Sequence, residues 1–285
     1  SVPEYPAFGS KIEFGNYARF AGGEVATTVA GLQRLGLKTY YAGKFGRDDA
    51  GKFGIDTLSE EGIDLQYCAT VEDAETQIAF IIIDESSGER TVTWKRDKRL
   101  SFAADEAPIE AVNSCRLLHM THHDTAACIR LAAAARTLGV PVSLDIDNVV
   151  EGIDELFPLV DIMIAGSEFP EKFLGISDPR AALAEMSARF GNALIGITLG
   201  NRGSLLLCGG EYIETSGFDV PGGCRDTTGA GDAFRTGLLY GLLTGETIET
   251  AAVMANAVAA LKCREIGART ALPTRSELDA FLKNT

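Results

Sequence analysis

Short runs of β-branched and aliphatic residues alternate with helix-length segments along most of this chain, and that alternation leaves few architectures open. Candidate strands are Thr39–Ala42, Leu117–Met120, Val140–Asp145, Ile162–Ala165, Leu194–Leu199 and Ser204–Leu207. Between and after them lie helix candidates at Glu24–Leu35, Ala50–Glu61, Ala126–Leu138, Pro179–Phe190, Gly231–Leu243 and Thr247–Leu261. The first of these stops at Gly36, a usual residue at a helix exit. Helices interleaved with buried strands predict an α/β fold, a central and mainly parallel sheet flanked by helices. One stretch breaks the pattern: Thr76–Ile83, the turn-rich Asp84-Glu85-Ser86-Ser87-Gly88, then Glu89–Lys95 reads as a hairpin. With the extended segment at about 8–20, residues 75–97 would make a small β-sheet lid able to exclude water from a site. A plain surface hairpin fits the same pattern equally well.

The 285 residues, 46% of them hydrophobic, suffice for a large packed core, and the absence of a linker favours one domain over 1–285. The net charge of −14 makes nucleic acid a poor partner. An anionic cofactor would then be held by local features or by a divalent cation. No apolar run is long enough to cross a bilayer. Cys68, Cys115, Cys128, Cys208, Cys224 and Cys263 form no C-x-x-C pair, as expected of reduced thiols in a cytoplasmic protein.

The segment richest in chemistry is Asp226-Thr227-Thr228-Gly229-Ala230-Gly231-Asp232-Ala233-Phe234. Two glycines one residue apart at the start of an apolar helical stretch let backbone N–H groups converge where the helix dipole favours an anion. Asp232 falls in the first helical turn, where a carboxylate would repel a phosphate it merely bound. A second task for it is to take the proton from an attacking hydroxyl. A tight helix start alone would use the same small residues.

The nine-residue string resembles the second signature of the ribokinase-like (PfkB) carbohydrate kinases, D-T-x-G-A-G-D. The likeness extends over almost the whole chain. Ala21-Gly22-Gly23 through Leu32, Leu35 and Gly36 is similar to the family's first signature, and Ile197-Thr198-Leu199-Gly200 with Gly203 to the strand and turn beside the nucleotide. Ala255–Cys263 with Gly267-Ala268 resembles the helix and loop near the adenine, and Pro273-Thr274 before a last amphipathic helix fits the ending. The resemblance implies transfer of the γ-phosphoryl group of Mg-ATP to a hydroxyl of a ketose, sulfosugar or ribose-like sugar. It makes Asp232 the base and Gly229, Ala230 and Gly231 the anion-stabilising turn. Thr198, Gly200, Gly203, Asn256 and Thr228 would line the nucleotide, Gly22, Gly23, Thr27 and His122 the sugar. Glu168 would organise magnesium through water. Some members use potassium near the loop that here holds Asp226, and many dimerise through lid strands, so both are expectations.

Three positions depart from the family pattern. The signature Asn that contacts the sugar is Thr27, with a shorter reach. The N-x-x-E motif reads Ala165-Gly166-Ser167-Glu168, keeping the acid and losing the amide. The opening strand with its sugar-binding Asp has no counterpart before Gly22, so a short N-terminal piece is expected to be missing from the chain. Thr27 and Ala165 leave a non-catalytic sugar-binding relative as one alternative, and a nucleoside kinase of the same fold as another.

Several motifs compete for attention. Gly46-Arg47-Asp48-Asp49-Ala50-Gly51-Lys52-Phe53 mimics a P-loop, but Phe53 supplies no hydroxyl and two aspartates would repel phosphate. His119, His122 and His123 with Asp124 could be a metal site, a polar loop or a sugar contact. Asp145 and Asp147 at a strand end could meet a cation or phosphate, and Lys95 and Arg96 at the hairpin end an anionic substituent, but all four read first as solvated residues.

Overall fold

The computed structural model describes residues 1–84 and 90–284. Its first half runs α1 (Glu24–Arg34), β1 (Tyr40–Gly46), α2 (Asp49–Glu60), β2 (Asp64–Val71), β3 (Ile78–Ile83), β4 (Arg90–Lys95), β5 (Leu118–Thr121), α3 (Thr125–Thr137) and β6 (Val142–Ile146). There follow α4 (Ile153–Leu156), β7 (Ile162–Gly166), α5 (Phe169–Leu174), α6 (Pro179–Phe190), β8 (Leu194–Thr198), β9 (Ser204–Cys208) and β10 (Glu211–Thr215). The chain ends with α7 (Ala230–Thr244), α8 (Ile248–Lys262) and α9 (Arg275–Lys283).

Strands β5 to β10 form a six-stranded sheet in the order β10-β9-β8-β7-β6-β5, parallel from β5 to β8 and antiparallel beyond. Every residue of β6 is buried, as expected of a strand covered on both faces. Alternation along β7 sends Ile162 and Ile164 into one core with Val29, Leu238 and Val258, and Met163 and Ala165 into a second core with Ala132, Leu183 and Met186. The helices start where local hydrogen bonding favours it. Asp48 Oδ1 accepts from Gly51 N at 2.7 Å, Asp178 Oδ1 from Ala181 N at 2.7 Å, and Thr274 and Glu277 make a reciprocal capping box. Helices α7 and α8 pack closely because Gly237 presents no side chain; a Cβ there would lie 2.6 Å from the Ala255 Cα.

Three features differ from the sequence reading. β1 was expected in the main sheet, yet it pairs only with β2, in parallel, and this pair is a separate sheet. Helix α1 packs against both β1 and β5 and so links the two sheets. The β3–β4 hairpin forms with Ile78 opposite Lys95, but residues 8–20 contribute no strand to it. Its neighbour is Val2 instead, whose N–H donates to Ile83 O at 2.8 Å. Residues 85–88 of the expected turn, and Glu89, lie outside the described residues. Among those described, no helix is long and apolar enough to cross a membrane.

Candidate active site

The ends of β6 and β7 reach α7 through Arg235, which donates to Ile164 O and pairs with Asp145, and the glycine-rich turn precedes that helix. Gly229 precedes α7 with φ 78° and ψ 6°, a left-handed conformation natural to glycine, and a Cβ would come within 2.8 Å of the Ala268 side chain. Asp226 fixes the turn from below. Its Oδ1 accepts from Thr228 N at 2.8 Å and its Oδ2 from Gly267 N at 2.8 Å, while Lys262 Nζ donates to its carbonyl at 2.7 Å. Asp232 follows in the first turn, and its backbone carbonyl accepts from Thr28 Oγ1 at 3.2 Å and Thr236 Oγ1 at 3.0 Å. Burial raises the Asp232 carboxyl to about 7, against the opposing pull of the Arg235 guanidinium. A carboxyl poised near neutrality at a helix start can accept a proton while helix N-terminal amides offset developing negative charge; that of Ala230 donates to Thr227 O at 3.1 Å.

A cleft of about 400 Å³ is lined by Asp147, Asn148, Gly166, Ser167, Glu168, Lys172, Thr198 and Gly200 among others. Thr198, Gly200 and Glu168 thus line one cleft. Glu168 is exposed and pairs with Lys172 at 2.8 Å, one turn along α5. Among the described residues no three His, Cys, Asp or Glu side chains cluster tightly enough to cage a metal ion. Asp147 and Glu168 are the carboxylates that line the cleft, hard oxygen donors of the kind a magnesium ion takes beside water and nucleotide phosphates. Two expected nucleotide residues are engaged elsewhere. Asn256 is buried and spends its amide on Ser204 Oγ and Ala252 O, both at 3.0 Å. Gly203 serves a tight turn, since a Cβ there would meet Thr215 O at 1.9 Å.

On the opposite flank Gly23 opens α1 with φ 94°, and the Gly22 carbonyl accepts from Arg269 Nη2. Thr27 is fully buried, its hydroxyl without a partner among the described residues. His122 is also buried, 2% exposed, which corrects the polar-loop alternative; its Nε2 lies 3.4 Å from Asp147 Oδ1. His123 Nε2 lies 3.4 Å from Glu24 Oε2, and the hydrogen bond to Glu24 raises the imidazole's proton affinity. His119 hydrogen-bonds Ser143 Oγ at 3.1 Å and stays neutral, because burial drives it down to about 3. Arg96 is not solvated: it grips both carboxylate oxygens of Asp124, at 2.8 and 2.9 Å. Asp145 is likewise buried, ion-paired with Arg235. The P-loop mimic is structural, with Asp48 capping α2 and accepting from Thr76 Oγ1 at 2.7 Å.

Sequence reasoning missed Glu24, Arg235 and Arg269. The available signal was a charged side chain in an otherwise apolar or glycine-rich stretch, clearest for Arg235 within α7.

Residues 2–275 match the pfkB family carbohydrate kinase. A ribokinase of Haemophilus influenzae is 30% identical, the alignment covering 100% of this chain and 94% of that protein. An ATP-dependent ribose-1-phosphate kinase of Halopiger xanaduensis is 29% identical over 92% of this chain and 86% of its own length. Among solved structures, an Agrobacterium tumefaciens protein superposes with a TM-score of 0.91 at 24% identity, covering 99% of this chain and 92% of that one. Arabidopsis thaliana ribokinase, complexed with ribose and ATP, has a TM-score of 0.84 at 26% identity, covering 98% and 93%. The fold is thus ribokinase-like, and the chain belongs to the pfkB family of carbohydrate kinases as an ATP-dependent carbohydrate kinase.

Proposed function

We propose that this enzyme transfers the γ-phosphoryl group of Mg-ATP to a hydroxyl of a ketose, sulfosugar or ribose-like sugar, with Asp232 as the base. One observation carries the reading: a carboxyl held near neutrality in the first turn of α7, directly beyond the Gly229–Gly231 amides. Asp232 takes the proton from the acceptor hydroxyl, and the amides of Gly229, Ala230 and Gly231 offset charge on the transferring group. Thr198, Gly200 and Thr228 line the nucleotide side. Magnesium supplies charge neutralisation at the phosphates, and Glu168 orients it through water. Gly22, Gly23 and His122 lie on the sugar side. A potassium ion near the Asp226 loop remains part of the proposal by resemblance alone. A cytoplasmic location is supported by six cysteines without a disulfide among the described residues. A homodimer through the β3–β4 hairpin is supported by the exposure of Ile78, Phe80, Val92 and Trp94.

The test is ADP release from Mg-ATP against a panel of ketoses, aldoses, sulfosugars and nucleosides, with Asp232→Ala in parallel. Turnover of one sugar class, abolished in the variant, supports the proposal. Turnover confined to nucleosides transfers it to a nucleoside kinase. Sugar binding by calorimetry without any turnover sinks it in favour of a non-catalytic binder.

A further inference from the structure

Arg235 stands on α7 one turn after Asp232, between Phe234 and Thr236 in a helix whose surrounding residues are almost all buried. It is only 5% exposed. Its Nη2 donates to Ile164 O at 2.8 Å and pairs with the buried Asp145 carboxylate. A Cβ on Gly231 would meet Nη1 at 2.9 Å, so the guanidinium lies against the base of the anion-stabilising turn. Its Nε has no hydrogen-bond partner among the described residues. Burying a cation this incompletely bonded is expensive, and an apolar side chain could fill the same space at less cost. Packing alone therefore explains the arginine poorly.

We propose that Arg235, through its ion pair with Asp145, is the positioning residue for phosphoryl transfer, locking the ends of β6 and β7 under the turn and setting the charge that the Asp232 carboxylate meets. This rests on the reading of Asp232 as the base. The charged groups facing Asp232 are Arg235 from α7 itself, Glu24 from α1, Asp145 from β6, Lys262 from α8 and Arg269 from the loop after α8. Glu24 and Asp145 disfavour its ionised form; Arg235, Arg269 and Lys262 favour it, Arg235 most strongly of the three. Asp145 in turn meets Arg235, Asp232, Glu24 and Asp147, and burial pushes it well above the usual carboxylate range. Arg235 thus sits between two carboxyls that would otherwise both tend to hold protons, and it keeps Asp232 able to accept one.

The experiment is the pH dependence of kcat and kcat/KM with Mg-ATP and the preferred acceptor of the panel, in wild type, Arg235→Met, Arg235→Lys and Asp145→Asn. Titration of the substrates is common to all four proteins and cancels in the comparison. Arg235→Met should move the midpoint of the acid limb up by about one pH unit, making the rate below that midpoint about tenfold lower relative to its plateau. Asp145→Asn should move it down, and Arg235→Lys should leave it near the wild-type value. A merely structural arginine would lower the melting temperature and the rate at every pH while leaving the midpoint in place, and that result overturns the inference. Should Arg235→Met fail to fold, Asp145→Asn decides alone, because it retains the cation and removes a like charge. Retained turnover in Asp232→Ala would instead sink the base assignment itself, and the two failures are separately visible.

Discussion

Holding a carboxyl near neutrality has a consequence for stability that one substitution isolates. The Asp232 carboxyl stands at about 7 in the folded protein against an ordinary value of 3.8. Below pH ~4 both folded and unfolded chains carry the proton, and the raised value has no effect on stability. Between the two values the unfolded chain ionises while the folded chain still holds its proton, so stability falls as pH rises; above about 7 the loss is complete. The difference corresponds to a ceiling of about 4 kcal/mol, and solvent screening of a partly exposed carboxyl reduces the expected effect to ~1–2 kcal/mol. Asp232→Asn keeps the shape of the neutral acid and cannot ionise. It should match wild type at pH 4 and be more stable by ~1–2 kcal/mol at pH 8, while losing phosphoryl transfer. Urea unfolding of both proteins without nucleotide at pH 4, 6 and 8 measures this. An equal difference at pH 4 and pH 8, or an Asn variant weaker at pH 8, would refute the argument that burial controls this carboxyl.

Three further outcomes follow from the packing. Asn256→Ala removes the buried bonds to Ser204 and Ala252 and should cost ~1–2 kcal/mol in urea unfolding, with KM for ATP within about twofold of wild type. A large rise in KM without loss of stability would return Asn256 to the nucleotide site. Gly237→Ala places a Cβ 2.6 Å from Met254 O and the Ala255 Cα, so α7 and α8 must part, at ~2–3 kcal/mol; an unchanged melting temperature would contradict this. Replacing both Phe80 and Trp94, 64% and 61% exposed on the hairpin, with Glu should convert a dimer to a monomer in light scattering. A wild type monomeric at every concentration would dispose of the dimer proposal.

The helices and buried strands could be read from the chain because their signals are local. Pro179–Phe190 appears with the expected bounds, and the fully apolar Ile162–Ala165 run sits in the middle of the sheet. Strands β2 and β10 escaped because both are half-exposed and mixed in polarity. The division into two sheets was not legible either, since periodicity says which residues of a strand share a face but not which strand it pairs with. At the site, the Asp226–Asp232 string marked the turn that opens α7 and the carboxyl in its first helical turn. Motif reasoning could not show that Asn256 bonds Ser204 or that Gly203 packs against Thr215 O, because those neighbours come from elsewhere in the chain. Arg235 could be noticed as a charge in an apolar helix, but its meaning depends on Asp145 and Ile164, which only folding brings to it.

The paired amides on Asp226 have a thermodynamic side. The segment leading to α7 holds Gly222, Gly223 and Gly229, all with positive φ, and an untethered chain of this kind samples many conformations. Freezing each such residue when a nucleotide arrives would cost ~1–2 kcal/mol in entropy. Asp226 holds the N–H groups of Thr228 and Gly267 at once, so the turn next to Gly229 is tied down without a ligand. Nucleotide contacts at this turn can then lower the barrier to transfer, instead of being consumed in arranging the turn.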